Sequence, residues 1–426
     1  MTSPRTLDAW LDYLEQVHPV GIDLGLDRVA EVARRMGLLE NRLASCVITV
    51  AGTNGKGSTV AMIEAVASAH GLSVATYTSP HLLRYNERVR LDGSEAEDTA
   101  LIAGFEAVEA ARLTDEPVSL TYFEAGTLAA LWIISRKRPD LAVLEVGLGG
   151  RLDAVNVIDA DVAVITTIAL DHAAYLGSEL EGIGREKAGI MRAGRPVVLG
   201  STELPASVHQ SAEERGAPTM ALGQDFYWLP GRAGVFDWQG TANDAASLSL
   251  VNLPDPGLPL DNAASALQAL ASAGIALDER RCRLALSQVE VPGRMQWLGQ
   301  WCLDVGHNPH AAAYLAGRLA LQPCAGRTWV LLGMLADKDA DGVIDALNGV
   351  TDGWVAVTLK GERARDAAEL AARIDARGGV VAFQATTPEK GAEWLSAHMA
   401  PDDRVLVCGS FFTVAAILAW KQAQAA

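Results

Sequence analysis

Between Cys46 and Gly71 the chain must form a strand, turn sharply through glycines and enter a helix, and few folds accept that order. Cys46–Val50 is a short apolar run rich in β-branched residues, which reads as a buried strand. Ala51-Gly52-Thr53-Asn54-Gly55-Lys56-Gly57-Ser58-Thr59 follows as a loop, and a helix is expected from about Thr59 to His70, stopped by Gly71. Glycines allow successive backbone N–H groups to converge on one point, and a helix N-terminus adds partial positive charge, so such a loop suits phosphate oxygens. Lys56 is placed to reach the β- and γ-phosphates of a nucleotide. The spacing departs from G-x-x-x-x-G-K-[ST]: the first glycine lies only four residues before Lys56, and Gly57 separates it from Ser58. A purely structural strand-to-helix turn is the competing reading.

The rest of the chain repeats that alternation. Ser73–Tyr77, Leu141–Val146, Val162–Thr167 and Pro196–Leu199 are further strand candidates, and Phe123–Ser135 has the composition of a buried helix. From Asp225 to Pro259 the pattern changes to Trp, Gly, Asn and Pro, which predicts a small antiparallel patch or long loops. A helix is expected at Asn262–Ala273, and Val291-Pro292-Gly293 reads as a linker. Beyond it lie strand candidates at Trp301–Val305, Trp329–Leu332, Trp354–Thr358 and Arg404–Cys408. The expected fold is therefore α/β: a P-loop domain with a parallel sheet over residues 1–291, then a smaller Rossmann-like α/β domain over 292–426.

Charge narrows the function. Fifty-two acidic residues against 35 Lys plus Arg give a formal net charge of −17, which argues against general affinity for nucleic acid or an anionic membrane. An anionic substrate must then be captured by local devices: backbone N–H groups, particular cations or a metal. The five cysteines are scattered with no C-x-x-C pair, and the first residues lack a signal-type apolar core. No stretch approaches the ~18 apolar residues needed to span a bilayer. These features place the protein in a reduced cytoplasm, away from membranes.

The loop Gly52-Thr53-Asn54-Gly55-Lys56-Gly57-Ser58-Thr59 resembles that of the Mur ligase superfamily, and in particular of its folylpolyglutamate synthase and dihydrofolate synthase family. Further segments resemble the same family in the same order: Ile22–Arg28, Thr78–Leu82, Leu144–Asp153, Glu186–Ile190 and Asp304–His310. The resemblance implies that Thr53, Asn54, Gly55, Lys56, Gly57 and Ser58 bind ATP, joined by Asn262 and Arg294 from across a cleft and by Asp304 at the ribose. It implies Mg²⁺, one or two ions, held by Ser79, Glu145 and His172, which lie just after predicted strands, and by Lys187. Singly, those residues read more plainly as a turn residue, a surface acid, a capping histidine and an exposed salt-bridging lysine. In similar enzymes the lysine of the Glu-Lys-Ala-Gly-Ile segment is carboxylated by CO₂, which would turn Lys187 into an anionic ligand.

The same resemblance implies a pterin site from Ile22, Asp23, Leu24, Thr121, Tyr122, Phe123, Glu124, Leu152, Asp153 and Ala154, an aromatic face with acids for a donor-rich edge. Phe123 as a core residue at a helix start is the alternative. His307 and Ser410 match positions for glutamate. Two departures stand out: Phe412 where relatives carry His, and Ala173-Ala174-Tyr175 where they carry a more polar run. The expected activity is ATP-dependent addition of L-glutamate to dihydropteroate and to folates through an acyl phosphate, by a monomer in which Lys56, His172 and Lys187 are catalytic. A cell-wall ligase of the Mur type, or folylpolyglutamate synthase activity alone, is the nearest alternative. A P-loop kinase would share the loop without needing Asp304 and His307.

Overall fold

The computed structural model describes residues 6–425 apart from 233 and 362. The chain divides into two compact units, Met1–Val289 and Glu290–Ala426.

The first unit is built on an eight-stranded sheet: β1 (Cys46–Ala51), β2 (Val74–Tyr77), β3 (Val89–Leu91), β4 (Ser94–Glu95), β5 (Leu141–Glu145), β6 (Val162–Ile165), β7 (Val197–Leu199) and β8 (Thr219–Ala221). Their spatial order is β4-β3-β2-β5-β1-β6-β7-β8. All pair in parallel except β3 and β4, which form an antiparallel edge that the strand pattern had not suggested. Val47–Ala51 and Leu141–Glu145 are buried residue after residue, as expected of strands covered on both faces by helices. The chain moves from β1 to β2 in one direction and later places β6 on the opposite side, so the carboxyl ends of β5, β1 and β6 flank the crevice where open α/β sheets bind ligands. In register, Glu145 stands opposite Val50, which brings the end of β5 beside the phosphate loop.

The Trp- and Gly-rich stretch forms a three-stranded antiparallel sheet, β9 (Tyr227–Pro230), β10 (Val235–Thr241) and β11 (Ser247–Pro254), in the order β11-β10-β9. Two helices begin earlier than the sequence implies. The one after the phosphate loop runs Lys56–Ala69 with Gly55 as its N-cap at φ 88°. The other runs Leu260–Ser272, so Asn262 lies inside its first turn instead of capping it.

The second unit carries β12 (Gln296–Leu298), β13 (Trp301–Leu303), β14 (Thr328–Leu332), β15 (Gly353–Val357), β16 (Val381–Ala385) and β17 (Arg404–Cys408), ordered β12-β13-β17-β14-β15-β16. Only β12 is antiparallel to its neighbour. Each unit has its own apolar core, one including Trp10, Phe105 and Leu128, the other Val330, Ile344 and Leu370.

Candidate active site

At the carboxyl end of β1 the loop is fixed before any ligand arrives. The Thr53 N–H donates to the Thr167 carbonyl at 2.7 Å, and the Thr53 hydroxyl to the Ala169 carbonyl at 3.1 Å. The Asn54 N–H donates to Thr167 Oγ1 at 3.0 Å, while the Thr166 and Thr167 hydroxyls donate to the Asn54 carbonyl at 2.6 and 3.1 Å. A Cβ on Gly52 would stand 1.8 Å from Thr166 Oγ1, so only glycine fits there. The three β6-end residues were missed at the sequence level. Their signal was the Thr166-Thr167 pair placed directly after an apolar strand.

Lys56 Nζ donates to the Gly52 and Thr53 carbonyls at 3.0 and 3.3 Å, which curls its ammonium back over the loop. Ser58 is buried, and its hydroxyl donates to the Gly55 carbonyl at 3.0 Å. Asn262 Nδ2 donates to Ser58 Oγ at 2.8 Å, and a Cβ on Gly55 would meet the Asn262 carboxamide at 2.7 Å. Asn262 thus belongs to the first unit and packs directly against the phosphate loop, which corrects the expectation that it reaches ATP from across a cleft.

Lys187 differs most from its plain reading. The helix Leu180–Lys187 is rich in Glu and Arg, yet Lys187 at its end is only 4% exposed and donates from Nζ to the Gly52 carbonyl at 2.9 Å. Burial, then the nearby Lys56 charge, pushes its pKa down to about 7. Backbone ties this segment to the Gly-Gly-Arg turn: the Arg151 N–H donates to the Glu186 carbonyl at 2.8 Å, and a Cβ on Gly150 would stand 2.8 Å from the Lys187 carbonyl.

Glu145 ends β5 as a buried carboxylate whose Oε2 accepts from the Ser79 N–H at 3.1 Å. Two of the residues expected to hold metal are thereby adjacent, and both offer hard oxygens. His172 is exposed and left-handed at φ 52°. Among the described residues no three His, Cys, Asp or Glu side chains converge as a self-sufficient metal cage. The donor set fits a cation completed by phosphate oxygens and water, as Mg²⁺ commonly is.

The residues matched to pterin binding fall into two linked groups. Asp153 is buried; its carboxylate accepts from the Leu148 and Val155 N–H groups at 2.8 and 3.0 Å, and burial nevertheless raises its pKa to about 6. Ala154 is buried beside it. The Phe123 ring lies 2.4 Å from where a Cβ on Gly147 would sit, so the glycine lets the ring cover the end of β5. Glu124 is held from both sides, accepting from the Thr121 N–H at 2.8 Å in a capping box and from Arg28 Nη2 at 2.9 Å. Arg28 Nη1 pairs with Asp23 at 2.7 Å, so Asp23, Glu124 and Thr121 form one network, with Tyr122 next in the helix. Arg28 organises it, a role the sequence reading did not assign. Leu24 and Leu152 line a cavity of about 520 Å³ together with Arg151, Arg185 and Tyr175, and Ile22 is exposed.

In the second unit, Asp304 follows β13 and Ser410 follows its neighbour β17. Asp304 is buried, with Oδ2 accepting from the Met295 N–H at 2.8 Å and Oδ1 from the Gly306 N–H at 2.7 Å. Burial raises its pKa while Arg294 opposes the shift. The Arg294 guanidinium lies 5.1 Å from the centre of the Phe411 ring, and the His307 ring is 6.3 Å from the same ring. His307 Nδ1 donates to the Val305 carbonyl at 2.9 Å in the corresponding tautomer. Ser410 Oγ accepts from the Phe412 N–H at 3.1 Å and so starts the last helix, Phe411–Ala425. Arg294, Asp304, His307 and Ser410 therefore share one end of this sheet. Phe412 itself is exposed.

Residues 50–224 match the Mur ligase middle domain and residues 293–411 the Mur ligase glutamate ligase domain. The chain is 44% identical to the Escherichia coli dihydrofolate synthase/folylpolyglutamate synthase, over 97% of this chain and 94% of that protein. Its fold superimposes on E. coli FolC in complex with DHPP and ADP with a TM-score of 0.93 and 41% identity, covering all of both chains. It also matches a bifunctional folylpolyglutamate synthase/dihydrofolate synthase with Mn, AMPPNP and L-glutamate bound, at a TM-score of 0.90 and 41% identity over 99% of this chain and all of the other.

Proposed function

We infer that this chain, which belongs to the dihydrofolate synthase/folylpolyglutamate synthase family of Mur ligases, carries out its ligation at the carboxyl end of β1, β5 and β6. The activity is ATP-dependent addition of L-glutamate to dihydropteroate and to folates. The observation that carries this reading is the joining, in one chain, of a preformed phosphate loop with a second unit of glutamate ligase type.

The γ-phosphoryl group of ATP passes to the substrate carboxylate, giving an acyl phosphate; the glutamate amine then attacks the acyl carbon, forming the amide and releasing phosphate. Lys56 and the loop N–H groups bear the charge that develops on the transferred phosphoryl oxygens. Thr53–Ser58 hold the phosphates, with Asn262 bracing Ser58. In the second unit Arg294 and Asp304 serve the adenosine, Asp304 at the ribose, and His307 and Ser410 place glutamate. Phe123 offers a stacking face for the pterin, flanked by Asp153, Ala154 and the network of Asp23, Thr121 and Glu124. Ser79, Glu145, His172 and a carboxylated Lys187 would hold Mg²⁺, one or two ions, which neutralises phosphate charge when bound. Among the described residues no helix is long and apolar enough to cross a membrane, and the protein acts as a cytoplasmic monomer in this reading.

The test is ADP release with dihydropteroate, tetrahydrofolate or a muramyl peptide, each with and without glutamate. Glutamate-dependent release with both pteridine substrates is expected. Release with the muramyl peptide alone would move the protein to a cell-wall role, and release independent of glutamate would make it a kinase or ATPase.

A further inference from the structure

Arg88, which the mechanism above leaves without a task, ends the segment that links β2 to β3. The residue is only 8% exposed. Its Nε donates to His81 Nδ1 at 2.9 Å, and its side chain also hydrogen-bonds the buried Tyr77 hydroxyl. The His81 nitrogen accepts and so carries no proton, and neither partner brings a charge to balance the cation. The guanidinium lies 5.0 Å from the centre of the Tyr85 ring and 5.7 Å from that of Tyr122. Among the described residues no carboxylate comes within ion-pair distance of it, whereas the other buried arginines, Arg112 and Arg365, pair with Glu109 and Glu369.

A guanidinium taken out of water without an acid is costly, and aromatic faces offset only part of that cost. An anion that completes it must therefore come from outside the fold. The residue is also joined to the active site from both ends. Tyr122 precedes Phe123, whose ring covers Gly147 at the end of β5, and His81 lies two residues beyond Ser79, which is bonded to Glu145. The reaction proposed above brings a carboxylate that must approach the anionic γ-phosphate of ATP, and a fixed cation removes that repulsion.

We propose that Arg88 binds the carboxylate of the acid substrate and presents it for phosphoryl transfer. The proposal rests on the ligase reading but adds a residue to it. A planar fork of donors suits a carboxylate bidentately, which a lysine ammonium does not reproduce.

The experiment compares binding of dihydropteroate with that of its neutral carboxamide, to the whole enzyme and to Arg88→Met and Arg88→Lys, by ligand fluorescence titration, with thermal unfolding and ADP affinity as controls. The wild type should prefer the acid by about 30-fold or more, the scale of a buried charge pair losing one partner. Arg88→Met should bind acid and carboxamide within about twofold of each other while ADP affinity holds, and Arg88→Lys should fall between. If Arg88→Met weakens both ligands equally, or keeps the wild-type preference, Arg88 is only a structural tie and the proposal is wrong. Should Arg88→Met not fold, Arg88→Lys and the wild-type ratio decide it: no acid preference in the wild type overturns it outright. Failure of the wild type to bind either ligand would instead sink the dihydropteroate reading itself.

Discussion

Lys187 is the residue whose chemistry depends most on where the fold puts it. With its pKa pushed down to about 7 by burial and by the Lys56 charge, a large share of the side chain is a free amine near neutral pH, the form that captures CO₂. The sign follows directly: the folded pKa lies below the unfolded one, so the folded state binds fewer protons between about pH 7 and the ordinary lysine range. Stability rises with pH across that window, and below about pH 7 the burial penalty is felt in full. Carbamate formation should weaken over the same acid side. If Lys187 is carboxylated as proposed, Lys187→Arg and Lys187→Ala should both be nearly inactive with normal folding, since Arg would keep a positive charge where that reading requires an anion. Ligation assays in CO₂-depleted and bicarbonate buffer check this; an Arg variant with most of its activity would leave Lys187 a buried structural cation. Lys56 tests the loop itself. Its ammonium hydrogen-bonds carbonyls of its own loop, so Lys56→Ala should lower turnover by ~100-fold or more with little change in thermal stability.

At the scale of elements, the junction of β1 and the helix Lys56–Ala69 stands on a left-handed residue. Gly55 has φ 88°, and a Cβ there would also press on Asn262 at 2.7 Å. Gly55→Ala should therefore cost roughly 1–3 kcal/mol, measured by denaturant unfolding, and should weaken ADP binding by displacing the Asn262–Ser58 hydrogen bond. A variant with unchanged stability and affinity would mean the loop relaxes freely. How much of this was legible varied by element. The apolar strands β1, β5, β6, β14 and β17 and the antiparallel patch after Asp225 stood out because burial on both faces, or dense Trp, Gly and Pro, leaves a strong pattern. β3, β4, β8, β12 and β16 did not, being short, partly exposed strands whose side chains alternate or lie half in water. The helix after the phosphate loop begins before Gly57-Ser58, where propensity favours a turn; the Ser58 and Thr59 hydroxyls bonded to the Gly55 carbonyl override it. The burial of Lys187 was hidden because its helix neighbours are Glu and Arg, whereas the contacts that hold it inward come from distant segments: Gly150 packed against its backbone, the Arg151 N–H on the Glu186 carbonyl and the Gly52 carbonyl that accepts from its Nζ.

For the whole molecule the decisive question is how the work divides between the two units. Each buries a separate apolar core drawn wholly from its own residues, one from Leu7 to Val155 and the other from Met295 to Cys408, which is the condition for folding alone. The phosphate loop, its brace Asn262, Glu145, Lys187 and the candidate pterin residues all fall within Met1–Val289, whereas Arg294, Asp304, His307 and Ser410 fall within Glu290–Ala426. In the reading proposed above, phosphate capture rests on the loop N–H groups, Lys56 and the helix N-terminus, all of which belong to the first unit. The first unit expressed by itself should then unfold cooperatively and bind ADP, at an affinity reduced by the loss of the ribose and adenine contacts assigned to Asp304 and Arg294. It should form no glutamate amide, because the residues assigned to glutamate are gone. Calorimetric titration with ADP and a ligation assay on the same preparation measure both. Full-strength ADP binding would remove Asp304 and Arg294 from the nucleotide site, and any glutamate-dependent product would mean that glutamate is placed by the first unit alone.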